Sequence, residues 1–224
     1  MPIDQNRFRG IWEEIEPGGV ELVAVSKTKP TSDIKELYDL GQRDFGENYV
    51  QELIEKRPLL PEDIRWHFIG HLQSNKVKQI LPFVHLIHGV DSLRLLQEIT
   101  KQAIKEKRQS SCLLQVHIAE EETKFGFDEQ ELEDIFRDHL PAGDPCLRIC
   151  GLMGMASFSN EPEKIRKEFQ RLKVLYDQYA KIVHPVLSFK WLSMGMSGDY
   201  RIAIEEGSNM VRIGSLIFGE RVKI

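Results

Sequence analysis

The stretch Glu21-Leu-Val-Ala-Val-Ser-Lys27 decides the fold of this chain of 224 residues. Four apolar residues lead almost directly to a lysine, and the segment Thr28-Lys29-Pro30 that follows is typical of the start of a helix. A buried strand of an α/β protein delivers side chains in this way to the edge of the sheet where ligands bind. The Lys27 amine could lose its proton there and attack a carbonyl, but a solvated lysine at a strand end would give the same pattern.

Apolar segments recur along the chain and, together with 21–27, give eight predicted strands. The others are 43–48, 65–70, 86–90, 112–119, 147–155, 189–196 and 210–217. Helical patterns fill most of the intervals, with Asp91 and the pair Asp128 and Glu131 as predicted capping residues. Strands that alternate with helices predict a (β/α)8 TIM-like barrel of the α/β class. A doubly wound open sheet is the alternative, but no Gly-x-Gly-x-x-Gly follows the first strand, which disfavours its dinucleotide-binding form.

Length and composition indicate a single globular domain. A chain of 224 residues can form one large domain, and its 41% apolar and 29% charged residues are ordinary proportions. We therefore expect one domain over residues 1–224, in which residues 1–20 contribute an extra N-terminal helix that packs on the outside of the barrel. A monomer is the expected state.

Charge and cysteine content exclude several classes of protein. The net charge of −5 is spread along the chain without a basic block, which disfavours a nucleic-acid partner. No segment has the length of a membrane span, and the first ten residues lack the apolar core of a signal peptide. The three cysteines, Cys112, Cys146 and Cys150, have no partners in zinc-ligand spacing. We expect a cytoplasmic protein without a metal site and without a membrane partner.

The last two predicted strands lead into loops that favour a phosphate group. In (β/α)8 barrels, phosphate is often held by the loops after strands seven and eight. Strand seven runs into Met196-Ser197-Gly198, where small residues precede a short predicted helix with unpaired N–H groups. In strand eight, the alternation of side chains turns Arg212 and Gly214 toward the lumen, and Ser215 adds a hydroxyl.

Polar side chains near this face have alternative explanations. Arg212 needs an anionic partner, which could be a ligand or a carboxylate such as Glu47 or Glu205. Asn48 follows strand two and could bond a ring hydroxyl or an aldehyde oxygen, or could cap a helix predicted over 49–56. His67 alternates with aromatic residues and is expected to be a hydrogen-bonded core histidine.

Six ordered motifs closely resemble those of the pyridoxal phosphate homeostasis proteins. They are Val25-Ser-Lys27-Thr-Lys-Pro30, Phe45-Gly-Glu-Asn-Tyr-Val-Gln51, Trp66-His-Phe-Ile-Gly70 with Leu72-Gln-Ser-Asn-Lys76, Gly151-Leu-Met153, Leu192-Ser-Met-Gly-Met-Ser197 and Val211-Arg-Ile-Gly-Ser215. The match runs from about Glu21 to Arg221, which is nearly the whole chain. The resemblance implies a fold-type III barrel like the N-terminal domain of alanine racemase.

The resemblance also implies the cofactor and its site. The cofactor is pyridoxal 5'-phosphate (PLP), bound covalently to Lys27 as a Schiff base (an aldimine). The implied cofactor-binding residues are Lys27, Asn48, Met196, Ser197, Arg212, Gly214 and Ser215. Within this set, Ser197 and the Met196 backbone match one phosphate loop, and Arg212, Gly214 and Ser215 match the other. The resemblance assigns no catalytic residue.

The expected role is a non-catalytic carrier of PLP in vitamin B6 and amino-acid homeostasis. Alanine racemase adds a second, β-rich domain, and a partner subunit supplies a tyrosine as its second base. This chain ends at Ile224, so we expect no such domain and no robust turnover, because a solitary lysine exchanges protons on one face only. PLP-dependent apo-enzymes are the candidate recipients. The alternatives are a fold-III PLP enzyme, a racemase or decarboxylase of an unassigned amino acid, and a barrel that binds a sugar phosphate.

Overall fold

Eight parallel strands close into a barrel in the computed structural model, which describes residues 3–120, 125–141 and 146–219. Residues 1–2, 121–124, 142–145 and 220–224 of the predicted domain lie outside the described residues. The strands are β1 (Glu21–Val25), β2 (Asp44–Glu47), β3 (Arg65–Phe68), β4 (Leu86–Val90), β5 (Ser110–Val116), β6 (Leu147–Gly154), β7 (Leu187–Ser193) and β8 (Met210–Ile213). Each strand pairs with the next, and β1 also pairs with β8. The predicted (β/α)8 barrel is confirmed.

Helices connect the strands on the outside of the barrel. The α-helices are α1 (Gln5–Ile15), α2 (Thr31–Asp39), α3 (Val50–Lys56), α4 (Val77–Ile80), α5 (Leu93–Glu106), α6 (Glu129–Asp134), α7 (Pro162–Tyr179), α8 (Tyr200–Glu205) and α9 (Ser215–Phe218). Short 3-10 turns lie at Glu16–Gly18, Arg57–Leu59 and Ser74–Lys76, and a π-helical turn at Ile135–His139 extends α6. Within the described ranges, none of the helices has the length and apolar character needed to span a membrane.

The extra N-terminal helix is present as α1. It buries Phe8, Ile11 and Ile15 and contacts α9. The Glu14 carboxylate accepts hydrogen bonds from the Tyr200 hydroxyl at 2.9 Å and from Arg201 Nε at 2.7 Å. Apolar burial and this polar contact together hold α1 beside α8 and α9.

The apolar core has an outer and an inner part. The outer part fills the space between the strands and the helices and includes Val211 and Ile213. The inner part is a smaller cluster inside the barrel, formed by Val23, Leu86, Leu113, Met153 and Met210. Since Met210 and Arg212 alternate with Val211 and Ile213, the Arg212 side chain points into the lumen, as the sequence pattern predicted.

Two predicted local features are wrong for identifiable reasons. The last strand was expected over 210–217, but β8 ends at Ile213 and α9 begins at Ser215. Apolar residues over a short run do not distinguish a strand from one turn of helix, and Ile217 is buried in either case. Asp91 does not cap α5, because Ser92 takes this place and accepts from the Leu95 N–H. The capping box of Asp128 and Glu131 is confirmed.

Candidate functional site

A cavity of about 500 Å³ opens where the strands end at the C-terminal face of the barrel. We call it the mouth pocket. All seven residues predicted to bind a cofactor line it, namely Lys27, Asn48, Met196, Ser197, Arg212, Gly214 and Ser215. The remaining lining residues are Val25, Lys29, Ile69, Met155, Phe158, Gly198, Asp199 and Gly219. The structure therefore brings the whole predicted set together in the part of a barrel where active sites form.

Lys27 is held at the mouth by the backbone on either side of it. β1 ends two residues earlier, and the Ser26 N–H donates to Gly46 O at 3.0 Å. After Lys27, the Thr28 N–H donates to Glu52 Oε1 at 2.5 Å, and Thr28 adopts a left-handed conformation with φ 64°. A residue with a β-branched side chain rarely adopts this conformation, so the surrounding contacts fix the turn that presents Lys27.

A buried ion cluster beneath this turn was not predicted from the sequence. The Lys56 ammonium group lies 2.8 Å from Glu47 Oε1 and 2.6 Å from Glu52 Oε1. It also donates to Ser26 O at 2.8 Å, and the Ser26 hydroxyl donates to Glu47 Oε1 at 2.6 Å. Burial raises the pKa of Glu47, while the charge of Lys56 opposes this shift. The cluster joins α3 and β2 to the residue before Lys27.

Asn48 does not cap the following helix. The N-cap position of α3 is Tyr49, and the helix starts at Val50. The Asn48 Oδ1 atom is buried and has no hydrogen-bond partner among the described residues. A buried acceptor without a donor is costly, so Asn48 is placed to accept a hydrogen bond from a ligand in the mouth pocket.

Arg212 forms the floor of the mouth pocket and is only 4% exposed. Its Nη1 donates to Ser193 O at 2.8 Å and to Ser193 Oγ at 2.7 Å, and Nη2 donates to Gly154 O at 3.0 Å. Burial lowers the pKa of Arg212 to about 10, while the charge of Asp199 opposes the shift. The guanidinium group thus remains charged at neutral pH.

The suggested ion pairs of Arg212 with Glu47 or Glu205 do not form. Glu47 pairs with Lys56, and Glu205 pairs with Arg166. In the part of the chain that the structure describes, Arg212 makes no salt bridge with a carboxylate. A buried cation without a carboxylate partner favours binding of an anion.

The loops after β7 and β8 lie against each other at the edge of the mouth pocket. The Gly214 N–H donates to Ser197 Oγ at 3.3 Å, and the Arg212 N–H donates to Gly195 O at 3.0 Å. The Met196 N–H donates to Asp199 Oδ1 at 2.6 Å. The predicted phosphate loops are therefore adjacent. However, the Met196 N–H, which was predicted to face the phosphate, already donates to the Asp199 carboxylate in its own loop.

His67 is a buried, hydrogen-bonded core histidine, as predicted. Its Nε2 lies 2.9 Å from Asp44 Oδ1, and its Nδ1 lies 2.9 Å from His88 Nε2. His88 was not singled out from the sequence, although its position on a predicted strand, two residues after an inward-facing Leu86, would place it in the lumen. Among the described residues, no group of three or more side chains is arranged to bind a metal ion.

Sequence comparisons identify similar proteins over most of the chain. The family model described as alanine racemase, N-terminal domain, matches residues 5–222. A pyridoxal phosphate homeostasis protein of Aquifex aeolicus is 41% identical over 202 residues, covering 90% of this chain and 87% of that protein. The human protein of the same name is 41% identical over 211 residues, covering 89% of this chain and 76% of its own length.

A solved structure has the same barrel. PipY of Synechococcus elongatus PCC7942, without PLP, superposes with a TM-score of 0.88 at 33% identity, covering 96% of this chain and 99% of PipY. PipY with PLP bound superposes with a TM-score of 0.83 at 32% identity, over the same shares of the two chains. The similarity thus extends from the sequence motifs to nearly the whole fold.

Proposed function

This chain belongs to the pyridoxal phosphate homeostasis protein family, whose barrel is that of the alanine racemase N-terminal domain, and we propose that it binds PLP in the mouth pocket. Lys27 would hold the cofactor covalently as a Schiff base, and Met196, Ser197, Gly214 and Ser215, together with Arg212, would hold its phosphate. The observation that carries the proposal is that all seven residues line a single cavity. A cavity of about 500 Å³ is also of the size that small ligands occupy.

The charges in the mouth pocket fit an anionic ligand. Lys27, Lys29 and Arg212 contribute three basic side chains, whereas Asp199 is the single acidic residue among the described lining residues. The phosphate group of PLP carries nearly two negative charges at neutral pH, so it would complement this excess of positive charge. The unpaired Asn48 Oδ1 would accept a hydrogen bond from the ring hydroxyl.

We propose that the protein carries PLP rather than turning over a substrate. Racemisation needs a second proton-transfer group on the opposite face of the substrate. The described residues that line the mouth pocket include no tyrosine and no histidine, and the Asp199 carboxylate is engaged by the Met196 N–H. The protein would act as a cytoplasmic monomer that holds PLP, transfers it to apo-enzymes and so supports vitamin B6 and amino-acid homeostasis.

The covalent bond is tested by absorption spectroscopy after incubation with PLP. The protein should turn yellow, and borohydride followed by peptide mapping should place the label on Lys27. Lys27→Ala should abolish the covalent label. Lys29→Met is the matched control, since Lys29 lines the same pocket but donates to Phe218 O at 2.6 Å, and it should keep the label on Lys27. A colourless protein that takes up no PLP would contradict the proposal and favour a sugar-phosphate ligand.

Absence of turnover is tested by exchange of the α-proton of amino acids in deuterated water. The PLP-loaded protein should exchange no faster than free PLP with the same amino acids. Exchange at enzymatic rates that disappears in Lys27→Ala would show instead an amino-acid racemase, and release of carbon dioxide would show a decarboxylase. Transfer is tested by mixing the loaded protein with an apo-enzyme and following the gain of that enzyme's activity.

A further inference from the structure

A continuous chain of buried polar side chains crosses the lumen of the barrel. It runs from Asp44 to His67, His88, Ser193 and Arg212. The successive distances are 2.9 Å from Asp44 Oδ1 to His67 Nε2, 2.9 Å from His67 Nδ1 to His88 Nε2, 3.2 Å from His88 Nδ1 to Ser193 Oγ and 2.7 Å from Ser193 Oγ to Arg212 Nη1. Because β4 pairs only with β3 and β5, the contact between His88 and Ser193 on β7 must cross the lumen.

Every member of this chain is buried. Their exposed fractions are 4% for Asp44, 1% for His67, 0% for His88, 0% for Ser193 and 4% for Arg212. Buried polar groups that lose a partner are costly, and hydrogen bonds are stronger in a medium of low polarity. The five side chains therefore hold one another in a defined arrangement.

The hydrogen bonds of the chain have a preferred direction. Burial opposes ionisation of Asp44, but hydrogen bonds from His67 and Arg65 hold the pKa of Asp44 below its usual range. The ionised carboxylate can only accept, so His67 donates from Nε2. When Nε2 carries the only ring hydrogen of His67, Nδ1 accepts from His88 Nε2–H. Burial, together with the proximity of His67, holds the pKa of His88 well below its usual value, so a neutral His88 accepts at Nδ1 from the Ser193 hydroxyl.

The opposite direction would leave a hydrogen atom without an acceptor. If His88 donated from Nδ1, both His88 and Arg212 would donate to Ser193 Oγ. The Ser193 hydroxyl hydrogen would then have no acceptor among the five hydrogen-bonded side chains. In the preferred direction, Ser193 Oγ accepts from Arg212 and donates to His88. This places Arg212 at the donating end and Asp44 at the accepting end.

The accepting end lies at the opposite face of the barrel from the mouth pocket. Asp44 and Glu21 are the first residues of β2 and β1, and Arg65 is the first residue of β3. Arg65 Nε donates to Asp44 Oδ1 at 2.6 Å, and its Nη2 lies 3.2 Å from Glu21 Oε1. These three residues line a separate cavity at that face. The chain thus links a charged cluster at the start of the strands to the floor of the mouth pocket.

We propose that His88 and Ser193 are positioning residues, which fix the Arg212 guanidinium group beneath the bound cofactor through the ordered chain from Asp44. This inference rests on the proposed function, since it assigns them a role toward bound PLP. Without the Ser193 hydroxyl, Arg212 Nη1 keeps Ser193 O as its one partner among the described residues, and His88 Nδ1 loses its donor. The guanidinium group can then turn away from its position, although no residue that contacts the cofactor has changed.

The test compares two substitutions at Ser193 with one at a buried serine that does not belong to this row of hydrogen-bonded side chains. Ser193→Ala should weaken PLP binding by about ten- to a hundredfold, the loss of one hydrogen bond to a charged group, and should shift the absorption band of bound PLP. Ser193→Thr retains the hydroxyl and should restore both properties. The control is Ser110→Ala, because Ser110 is 6% exposed and its hydroxyl has no partner within the described ranges. It should bind PLP as the unsubstituted protein does.

A second measurement needs no cofactor and no substitution. Nitrogen-15 NMR of the histidine side chains in the PLP-free protein should show the Nε2–H form for both His67 and His88. Protonation of His88 at Nδ1 would overturn the proposed direction, even if Ser193→Ala failed to fold. Unchanged affinity and spectrum of Ser193→Ala would overturn the positioning role alone, whereas failure of the unsubstituted protein to bind PLP would overturn the proposed function as well.

Discussion

Replacing Lys56 with methionine should destabilise the protein strongly, and the loss should depend on pH. The side chains of Lys56 and Glu47 are 8% and 0% exposed, and their charged groups are 2.8 Å apart. Removing one partner of a buried ion pair costs about 3–5 kcal/mol, because the other charge remains buried without compensation. In Lys56→Met, the Glu47 carboxylate keeps the Ser26 hydroxyl as its hydrogen-bond donor.

The magnitude at a given pH follows from the protonation of Glu47. A buried carboxyl without its cation can take up a proton, at a cost of about 1.4 kcal/mol for each pH unit above an ordinary pKa of about 4.3. Protonation of Glu47 therefore limits the stability lost in Lys56→Met to roughly 3.7 kcal/mol at pH 7 and roughly 1 kcal/mol at pH 5. The stability of Lys56→Met should fall as the pH rises, because the pKa of its Glu47 carboxyl is higher in the folded than in the unfolded protein.

The assay is thermal or urea-induced unfolding of the protein and its variants at pH 5 and pH 7. For a domain of this length, the loss at pH 7 corresponds to a fall in Tm of roughly 7–15 °C. The control is Lys35→Met, which breaks the pair of Lys35 with Asp39, whose side chains are 51% and 57% exposed. Its effect should stay within about 0.5 kcal/mol.

Two results would refute this reasoning. One is a Lys56→Met variant with the same stability deficit at pH 5 as at pH 7, since the cost would then not come from a buried carboxylate. The other is a double variant, Lys56→Met with Glu47→Gln, that is no more stable at pH 7 than Lys56→Met alone. Removal of both charges should recover most of the loss, because replacing a whole buried pair is often nearly neutral.

Three further predictions concern parts of the barrel away from the mouth pocket. Gly151→Ala should lower stability by more than about 3 kcal/mol, measured by urea unfolding, because Gly151 has φ 140° and an added Cβ would lie 1.9 Å from Trp191 O. The Cys112 thiol should react with a thiol reagent only after unfolding, since burial raises its pKa; rapid reaction in the native state would contradict its placement. Burial and the neighbouring Asp44 raise the pKa of Glu21 to about 7, so its contribution to stability should decline as the pH rises toward 7, and Glu21→Gln should flatten this part of the stability profile.

The barrel and the composition of its mouth could be predicted because they depend on short-range patterns. The alternation of residues in the last strand was sufficient to turn Arg212 and Gly214 inward, and the position of Lys27 after an apolar run located the other side of the site. Both inferences need only the period of a strand and the rule that ligands bind at the C-terminal face. The resemblance to family motifs then indicated PLP as the cofactor.

Contacts across the barrel could not be predicted in the same way. The bond between His88 and Ser193 joins strands that are not neighbours, so no local period reveals it. The partner of Glu47 proved to be Lys56, the last residue of α3, and no local period in the sequence indicates this pairing. Asn48 was a reasonable cap by residue type, but the helix begins one residue later than such a cap requires.

The pairing of β1 with β8 has a consequence for how the binding site comes into being. Val23 lies opposite Arg212 in this pairing, so it brings Lys27, two residues after the first strand, close to Arg212 in the last strand. Bringing together two distant ends of a chain is entropically expensive, and it is only possible once the last strand has left the ribosome. A nascent or truncated chain that lacks β8 would therefore be unable to bind PLP in this pocket, and uptake of PLP would report that β1 and β8 have paired.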